Sequence, residues 1–211
     1  MSVKIALLGC GTVGTAVAKM LKAQSKDFAQ RAGDELELVG IGVRNIDAPR
    51  DPEIDRTLLT DDLEALTTKA DIVIELIGGI DPARTLVLGA IKNGATVVTG
   101  NKALLAAHGP EIYEAAAEAD VDVYYEAAVA GAVPVVYGLR ESLAGDRVET
   151  VMGILNGTTN FILDEMETNG MSFDDALKLA QDLGYAEADP TADVDDHCST
   201  CVAQDIRGMM T

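Results

Sequence analysis

Three stretches of this sequence place residues whose types and spacing could do chemistry. The first is Gly9-Cys10-Gly11-Thr12-Val13-Gly14, a G-x-G-x-x-G run. It follows an apolar run, residues 3–8, and opens a helical stripe of Val13, Val17, Met20 and Leu21. Between a strand and a helix this pattern reads as a dinucleotide loop. Gly9 permits the tight turn, Gly11 lets the backbone approach a pyrophosphate, and Gly14 lets the helix pack closely on the strand. Thr12 and Val13 then lie in the first helical turn, where unpaired N–H groups and the positive dipole end favour an anion. A glycine-rich turn without a ligand is the alternative, and the surrounding β-α-β pattern disfavours it. The second stretch is Val43-Arg44-Asn45, at the end of the next strand. NAD binders usually carry Asp or Glu there for the ribose hydroxyls. Arg44 suits a 2′-phosphate instead, which favours NADP with NAD as the alternative, unless it is simply a surface arginine. Arg50 and Arg56 are weaker candidates for the same role. The third is a set of strand ends, where ligands of open α/β sheets collect. Gly78-Gly79 either leaves room for a nicotinamide ring or ribose or is only a tight turn. Lys102, after Asn101, either reaches a cofactor or carbonyl oxygen as an acid or is a solvated lysine at a helix start. Glu126 precedes the Val129-Ala130-Gly131 bend and, with nearby carbonyls, could hold a monovalent cation; on these residues alone a structural role is the stronger reading.

The elements that position these residues alternate. Strands are expected at residues 3–8, 35–43, 71–77, 95–99 and 121–127. Helices are expected at 61–66, where Asp61 and Glu64 form a capping box, at 82–93, closed by Gly94, and at 110–119. Repeated β-α-β units imply a parallel sheet with helices on both faces, a Rossmann-type doubly wound α/β domain. After Gly131-Ala132-Val133-Pro134 the rhythm changes. A strand at 147–155, helices at 158–168 and 173–183, and an acidic loop at 184–196 begin a second, α+β domain. The expected division is residues 1–134 and residues 135–211. The second domain is expected to be incomplete, because residues 197–211 carry neither a helical stripe nor a closing strand, and to leave an apolar face exposed.

Bulk properties narrow the partners. The chain has 211 residues, 48% hydrophobic and 24% charged, without Trp, so Val, Leu, Ile and Ala must build its core. A net charge of -19 repels phosphate backbones and argues against nucleic acid. No apolar run reaches the roughly 18 residues needed to span a membrane. The start passes directly into a strand-like run rather than a signal peptide, which makes a cytoplasmic location the default. Cys10, Cys198 and Cys201 do not form a disulfide framework.

At this point the sequence resembles the amino-terminal half of homoserine dehydrogenases. The segments carrying the likeness are 9–14, Glu75-Leu76-Ile77-Gly78-Gly79, Thr99-Gly100-Asn101-Lys102-Ala103, residues 126–134, Gly153-Ile154-Leu155-Asn156-Gly157-Thr158-Thr159-Asn160, and Gly184-Tyr185-Ala186-Glu187-Ala188-Asp189-Pro190. The likeness spans about residues 3–195, about half of the usual family domain pair. It implies NAD(P)-dependent interconversion of L-aspartate 4-semialdehyde and L-homoserine, on the route to threonine, isoleucine and methionine. It implies that hydride passes between nicotinamide C4 and the aldehyde carbon while a lysine handles the oxygen proton. By the same resemblance Lys102 lies beside cofactor and substrate, and Glu187 binds the substrate amino group. Glu126, with the backbone of Val129, Gly131 and Val133, matches the family's sodium-type cation site. A family-type homodimer is implied too, with most of its interface beyond residue 211.

The likeness breaks near Asp196. Cys198 stands where the family places a substrate-binding Asp, and Val202 where it places a catalytic lysine; valine has no proton to give. A truncated or frame-altered sequence would read this way. This stretch alone is therefore expected to be a poor catalyst. Its rival is a non-catalytic NADP-binding fragment or subunit. A different carbonyl or imine reductase is a third possibility, which the segment 156–160 opposes. His197-Cys198-x-x-Cys201 has the spacing of a metal or redox motif, but only His108 and Cys10 remain to complete a ligand set, so a tail without a ligand is the better reading.

Overall fold

The computed structural model describes residues 2–130, 133–152 and 157–186. It divides into two compact units, Met1–Val129 and Ala130–Thr211.

In the first unit, strand β1 (Ser2–Leu8) buries its last four residues, as a strand covered on both faces must. It is followed by α1 (Thr12–Ala23), α2 (Ser25–Ala32) and β2 (Glu35–Gly42). A long connection leads to a two-residue edge strand β3 (Leu59–Thr60) and helix α3 (Leu63–Thr67). Then come β4 (Ile72–Glu75), α4 (Ala83–Lys92), β5 (Thr96–Thr99), α5 (Lys102–Ala119) and β6 (Val123–Tyr124). All the strands pair in parallel, in the order β3-β2-β1-β4-β5-β6. This is the doubly wound dinucleotide-binding order. From β1 the chain crosses to β2 on one side, and from β4 it crosses to β5 on the other. Right-handed crossovers in opposite directions put α1 and α4 on opposite faces of the sheet. Leu7, Ile41, Val43, Ile54 and Ala18 form the core on the α1 side. Leu86, Val87, Ile91, Leu104, Leu105 and Ile112 are the large buried residues of α4 and α5.

Several expectations are corrected. The inward face of α1 is Gly14 and Ala18; Val13 is 60% exposed and Met20 42%. The helix lies so near the loop that a Cβ on Gly14 would fall 2.2 Å from the Gly9 oxygen, so only glycine fits there, while Val17 of the expected stripe packs against the core. The cap of α3 is Asp62, not Asp61: its carboxylate accepts from the Ala65 N–H at 3.0 Å. The helix expected at 110–119 begins at Lys102, capped by Asn101, and carries Pro110 in its interior. Burial of Leu104, Leu105, Gly109, Ile112 and Ala116 offsets the hydrogen bond that the proline cannot make. The strand expected at 121–127 shortens to Val123–Tyr124, and a 3₁₀ turn (Glu126–Ala128) takes its end. Gly94 closes α4 as expected, with φ +82° and its N–H on the Ile91 carbonyl.

Among the described residues, two ion-pair groups tie helices to their surroundings. Lys19 of α1 pairs with Asp51 and Glu53. Arg84 of α4 pairs with Glu111 of α5, which His108 Nδ1 also approaches at 3.2 Å.

In the second unit, a short helix α6 (Val135–Tyr137) runs on into a π-type segment (Gly138–Ser142). The strand expected at 147–155 is not formed over residues 147–152, and the rest of it lies outside the described residues. Helices α7 (Gly157–Asn169) and α8 (Phe173–Asp182) pack through Ile162, Ala176 and Ala180. Ser172 caps α8 with its hydroxyl on the Asp175 N–H. The Tyr185 ring packs at a tilt against Phe161 with ring centres 5.0 Å apart, and the Thr158 hydroxyl donates to the Tyr185 carbonyl at 2.7 Å. Two of the segments that carried the family resemblance, far apart in sequence, are thus adjacent.

Candidate functional site

The site is built where the sheet's strands end. From β1 the neighbouring connections diverge, so a crevice opens at the carboxyl ends of β1, β2 and β4. A cleft of about 560 Å³ lies there, lined by the glycine loop, Val43, Arg44, Leu76 and Ile77 among others.

The three loop glycines stand in different surroundings. Gly9 has φ +99°, and a Cβ on it would meet the Leu76 carbonyl oxygen at 2.5 Å. Gly14 is held by its approach to Gly9, described above. Gly11 has an ordinary φ of −81°, and a Cβ there would meet no protein atom within 4 Å. Nothing in the protein's own packing demands a glycine at that position. Gly11 is also the N-cap of α1 without a side-chain cap, and no acidic residue occupies the first turn. Thr12 and Val13 are exposed in that turn. The helix end therefore presents backbone donors and a positive dipole end to the crevice.

Arg44 is exposed and lines the cleft just after β2. Arg50, which also lines the cleft, and Arg56 are both engaged with backbone carbonyls. The Arg50 guanidinium donates to the Cys10 carbonyl at 3.0 Å and to the Asn45 carbonyl at 2.9 Å, and Arg56 donates to the Ile46 carbonyl at 2.8 Å. Both arginines fold the connection after β2 upon itself, and Arg50 also ties it to the glycine loop. These bonds join residues up to 40 positions apart. No local sequence pattern signals them.

Across the crevice, Gly78 and Gly79 have φ of +78° and +72° and are exposed. Their Cβ positions are open, so the backbone conformation alone requires glycine. Lys102 is the first residue of α5 and is exposed. Beneath both lies a buried polar group that sequence reasoning did not single out. The Glu75 carboxylate accepts from the Thr99 hydroxyl at 2.6 Å and the Ile77 N–H at 2.8 Å. Asn101 donates its amide to the Gly79 carbonyl at 2.7 Å and reaches Glu75 at 3.4 Å, while its Oδ1 caps α5 through the Leu104 N–H.

Glu126 is half-buried in the turn after β6, and Val129 is buried at the end of the first unit. Val133 belongs to the second unit, where its N–H bonds to the Ala130 carbonyl. Gly131 and Glu187 lie outside the described residues, as do His197, Cys198 and Cys201. Among the described residues, no three His, Cys, Asp or Glu side chains converge to hold a metal ion. No described helix is long and apolar enough to cross a membrane.

Comparison with known proteins agrees with this architecture. The family model for the homoserine dehydrogenase NAD-binding domain matches residues 9–126, and the homoserine dehydrogenase model matches residues 134–199. The homoserine dehydrogenase of Corynebacterium glutamicum is 55% identical over 201 residues, covering 93% of this chain and 44% of the relative. That of Synechocystis is 50% identical over 198 residues, covering 92% and 45%. Among solved structures, a homoserine dehydrogenase from Thiobacillus denitrificans superposes with a TM-score of 0.89 at 43% identity, covering all of this chain and 49% of that one. A hyperthermophilic archaeal homoserine dehydrogenase solved with NADPH gives 0.83 at 26%, covering all of this chain and 70% of that one. The chain spans under half the length of these curated relatives. With both models matching in chain order over the units that carry the glycine loop and the α7–α8 pair, the chain belongs to the homoserine dehydrogenase family.

Proposed function

We propose that this chain supplies the NADP-binding part, and some of the substrate-binding part, of an enzyme that interconverts L-aspartate 4-semialdehyde and L-homoserine, in the biosynthesis of threonine, methionine and isoleucine. The observation that carries the reading is Gly11: a glycine the fold itself does not need, at a helix start without a cap or an acidic residue. A pyrophosphate against that edge gives the glycine its reason. When bound, the nicotinamide cofactor supplies the hydride.

The chain's own residues then divide the work. The N–H groups of Gly11, Thr12, Val13 and Gly14 hold the diphosphate. Arg44 pairs with a 2′-phosphate and so prefers NADP over NAD. The exposed backbone of Gly78 and Gly79 flanks the nicotinamide end, and Lys102 reaches across the same edge to the reacting oxygen. Glu187 binds the substrate amino group. Glu126, with the carbonyls of Val129, Gly131 and Val133, holds a sodium-type cation. A homodimer of the family type and a cytoplasmic location accompany this reading.

Val202 stands where the resemblance places a proton-transferring lysine, which favours a second reading: a chain that binds the cofactor but turns over poorly by itself. One experiment separates the two. NADPH fluorescence reports binding, and absorbance after addition of aspartate semialdehyde reports oxidation. Binding with steady oxidation supports the enzyme, with Lys102 sufficient for the proton. Binding without oxidation supports the cofactor-holding chain. No binding refutes both.

A further inference from the structure

Glu75 is wholly buried at the carboxyl end of β4, and no basic side chain pairs with it among the described residues. A buried carboxylate is costly to desolvate, and an apolar residue would fill a sheet interior more cheaply. What Glu75 has instead is a set of donors. Thr99, also wholly buried, gives its hydroxyl; Ile77 gives its N–H; the Asn101 amide is the third. The Asn101 N–H in turn bonds to the Thr99 hydroxyl oxygen at 3.1 Å. The two carboxyl oxygens of Glu75 face these three converging donors.

Besides Thr99 at the end of β5, the donors come from two different connections. Ile77 leads into Gly78 and Gly79, and Asn101 is the residue before Lys102. Asn101 also grips the Gly79 carbonyl, so the loop after β4 and the start of α5 are joined directly as well as through Glu75.

We propose that Glu75 is a positioning residue. Acting through Thr99 and Asn101, it fixes the Gly78-Gly79 backbone and the Lys102 end of α5 as one rigid edge for the nicotinamide half of the cofactor. This rests on the dinucleotide reading given above. The glycine loop and Arg44, which face the adenosine half, share no hydrogen bond with this group. The two halves of the ligand therefore report on it differently, and a merely structural role would not separate them.

The test uses the whole chain and two ligands, NADPH and 2′,5′-ADP, the latter representing the adenosine half alone. Glu75→Gln keeps the shape but cannot accept from both the Thr99 hydroxyl and the backbone side. Asn101→Ser keeps a helix cap and loses the reach to Gly79. Each is expected to weaken NADPH about tenfold, the size of one net hydrogen bond, and to diminish the nicotinamide emission enhancement. Binding of 2′,5′-ADP should stay within about twofold of the unaltered chain. If Glu75→Gln does not fold, Asn101→Ser decides. Equal losses for both ligands, or no loss for either, overturn the proposal. If the unaltered chain binds neither ligand, the dinucleotide reading fails, and this inference with it.

Discussion

Gly11 and Gly14 stand three residues apart in one motif, yet alanine should do opposite things at each. At Gly14 the added methyl would fall 2.2 Å from the Gly9 oxygen and 2.9 Å from its carbon. Ordinary contact needs about 3.5 Å, so α1 or the loop must move by roughly 1 Å. Overpacking of that kind typically costs about 1–3 kcal/mol. For a unit of this size each kcal/mol lowers Tm by about 4 °C, so Gly14→Ala should melt roughly 4–12 °C early. At Gly11 the methyl meets no protein atom and the φ of −81° suits any residue. Gly11→Ala should therefore keep its Tm or gain about 0.4–1 kcal/mol through a less flexible unfolded chain. Its methyl would instead occupy the approach to the helix N-terminus and remove one or two charge-assisted hydrogen bonds, weakening NADPH about 10–100-fold. Thermal melting and NADPH fluorescence titration on the two variants settle the matter. NADPH affinity within about twofold of the unaltered chain for Gly11→Ala would refute the placement of the diphosphate. An unaltered Tm for Gly14→Ala would refute the packing argument.

Arg44→Ala should weaken NADPH about 10–100-fold by loss of a charge-assisted contact and leave NADH unchanged; parallel titrations check this. Asp62→Ala removes the cap of α3 and should cost about 1 kcal/mol in a urea melt. Arg50→Met releases the Cys10 and Asn45 carbonyls and should speed amide hydrogen exchange across residues 43–51 while leaving β4 and β5 unchanged. Acid should destabilise the first unit in a defined window. The Glu53 backbone N–H, then Lys19, hold the Asp51 carboxyl below its ordinary value; the Thr57 hydroxyl and N–H do so for Asp55, and Arg84 for Glu111. Because these folded values are depressed, their contribution is complete above the unfolded carboxylate range of about 4 and is lost as pH falls below it. Urea midpoints should be level from about pH 7 to 5 and drop toward pH 3; a level profile throughout would contradict those contacts.

What could be read in advance follows from the distance over which each feature is encoded. Residues 3–14 announce a strand, a tight turn and a helix within one short window, and the structure has all three. Gly94 signals the end of α4 because a left-handed cap is a local need. By contrast α2 is short and Phe28 is its only large apolar residue, too little for a recognisable stripe. Edge strand β3 is only two residues long. Pro110 suggested a helix start, and only the burial of Leu104 and Leu105 reveals that α5 already exists before it. Val13 counted as core by its periodicity, but the close approach at Gly14 turns that side of α1 outward. The backbone part of the candidate site was legible as a motif. The Glu75–Thr99–Asn101 group was not, since Glu75 lies 24 and 26 residues from its two partners and meets them only when β4 and β5 pair.

The strand order has a consequence for how tightly a ligand can be held. Because β1 sits between β2 and β4, the two sides of the crevice are built from separate stretches of chain, one ending in Arg44 and the other in Gly79 and Lys102. On the proposed reading a dinucleotide is a bivalent ligand, with its diphosphate as a short linker at Gly11. Once one half has docked, the other half is present at an effective concentration that short linkers raise to about the millimolar range. Two weak sites can thus add up to one strong one, and release becomes slow only while both halves are seated.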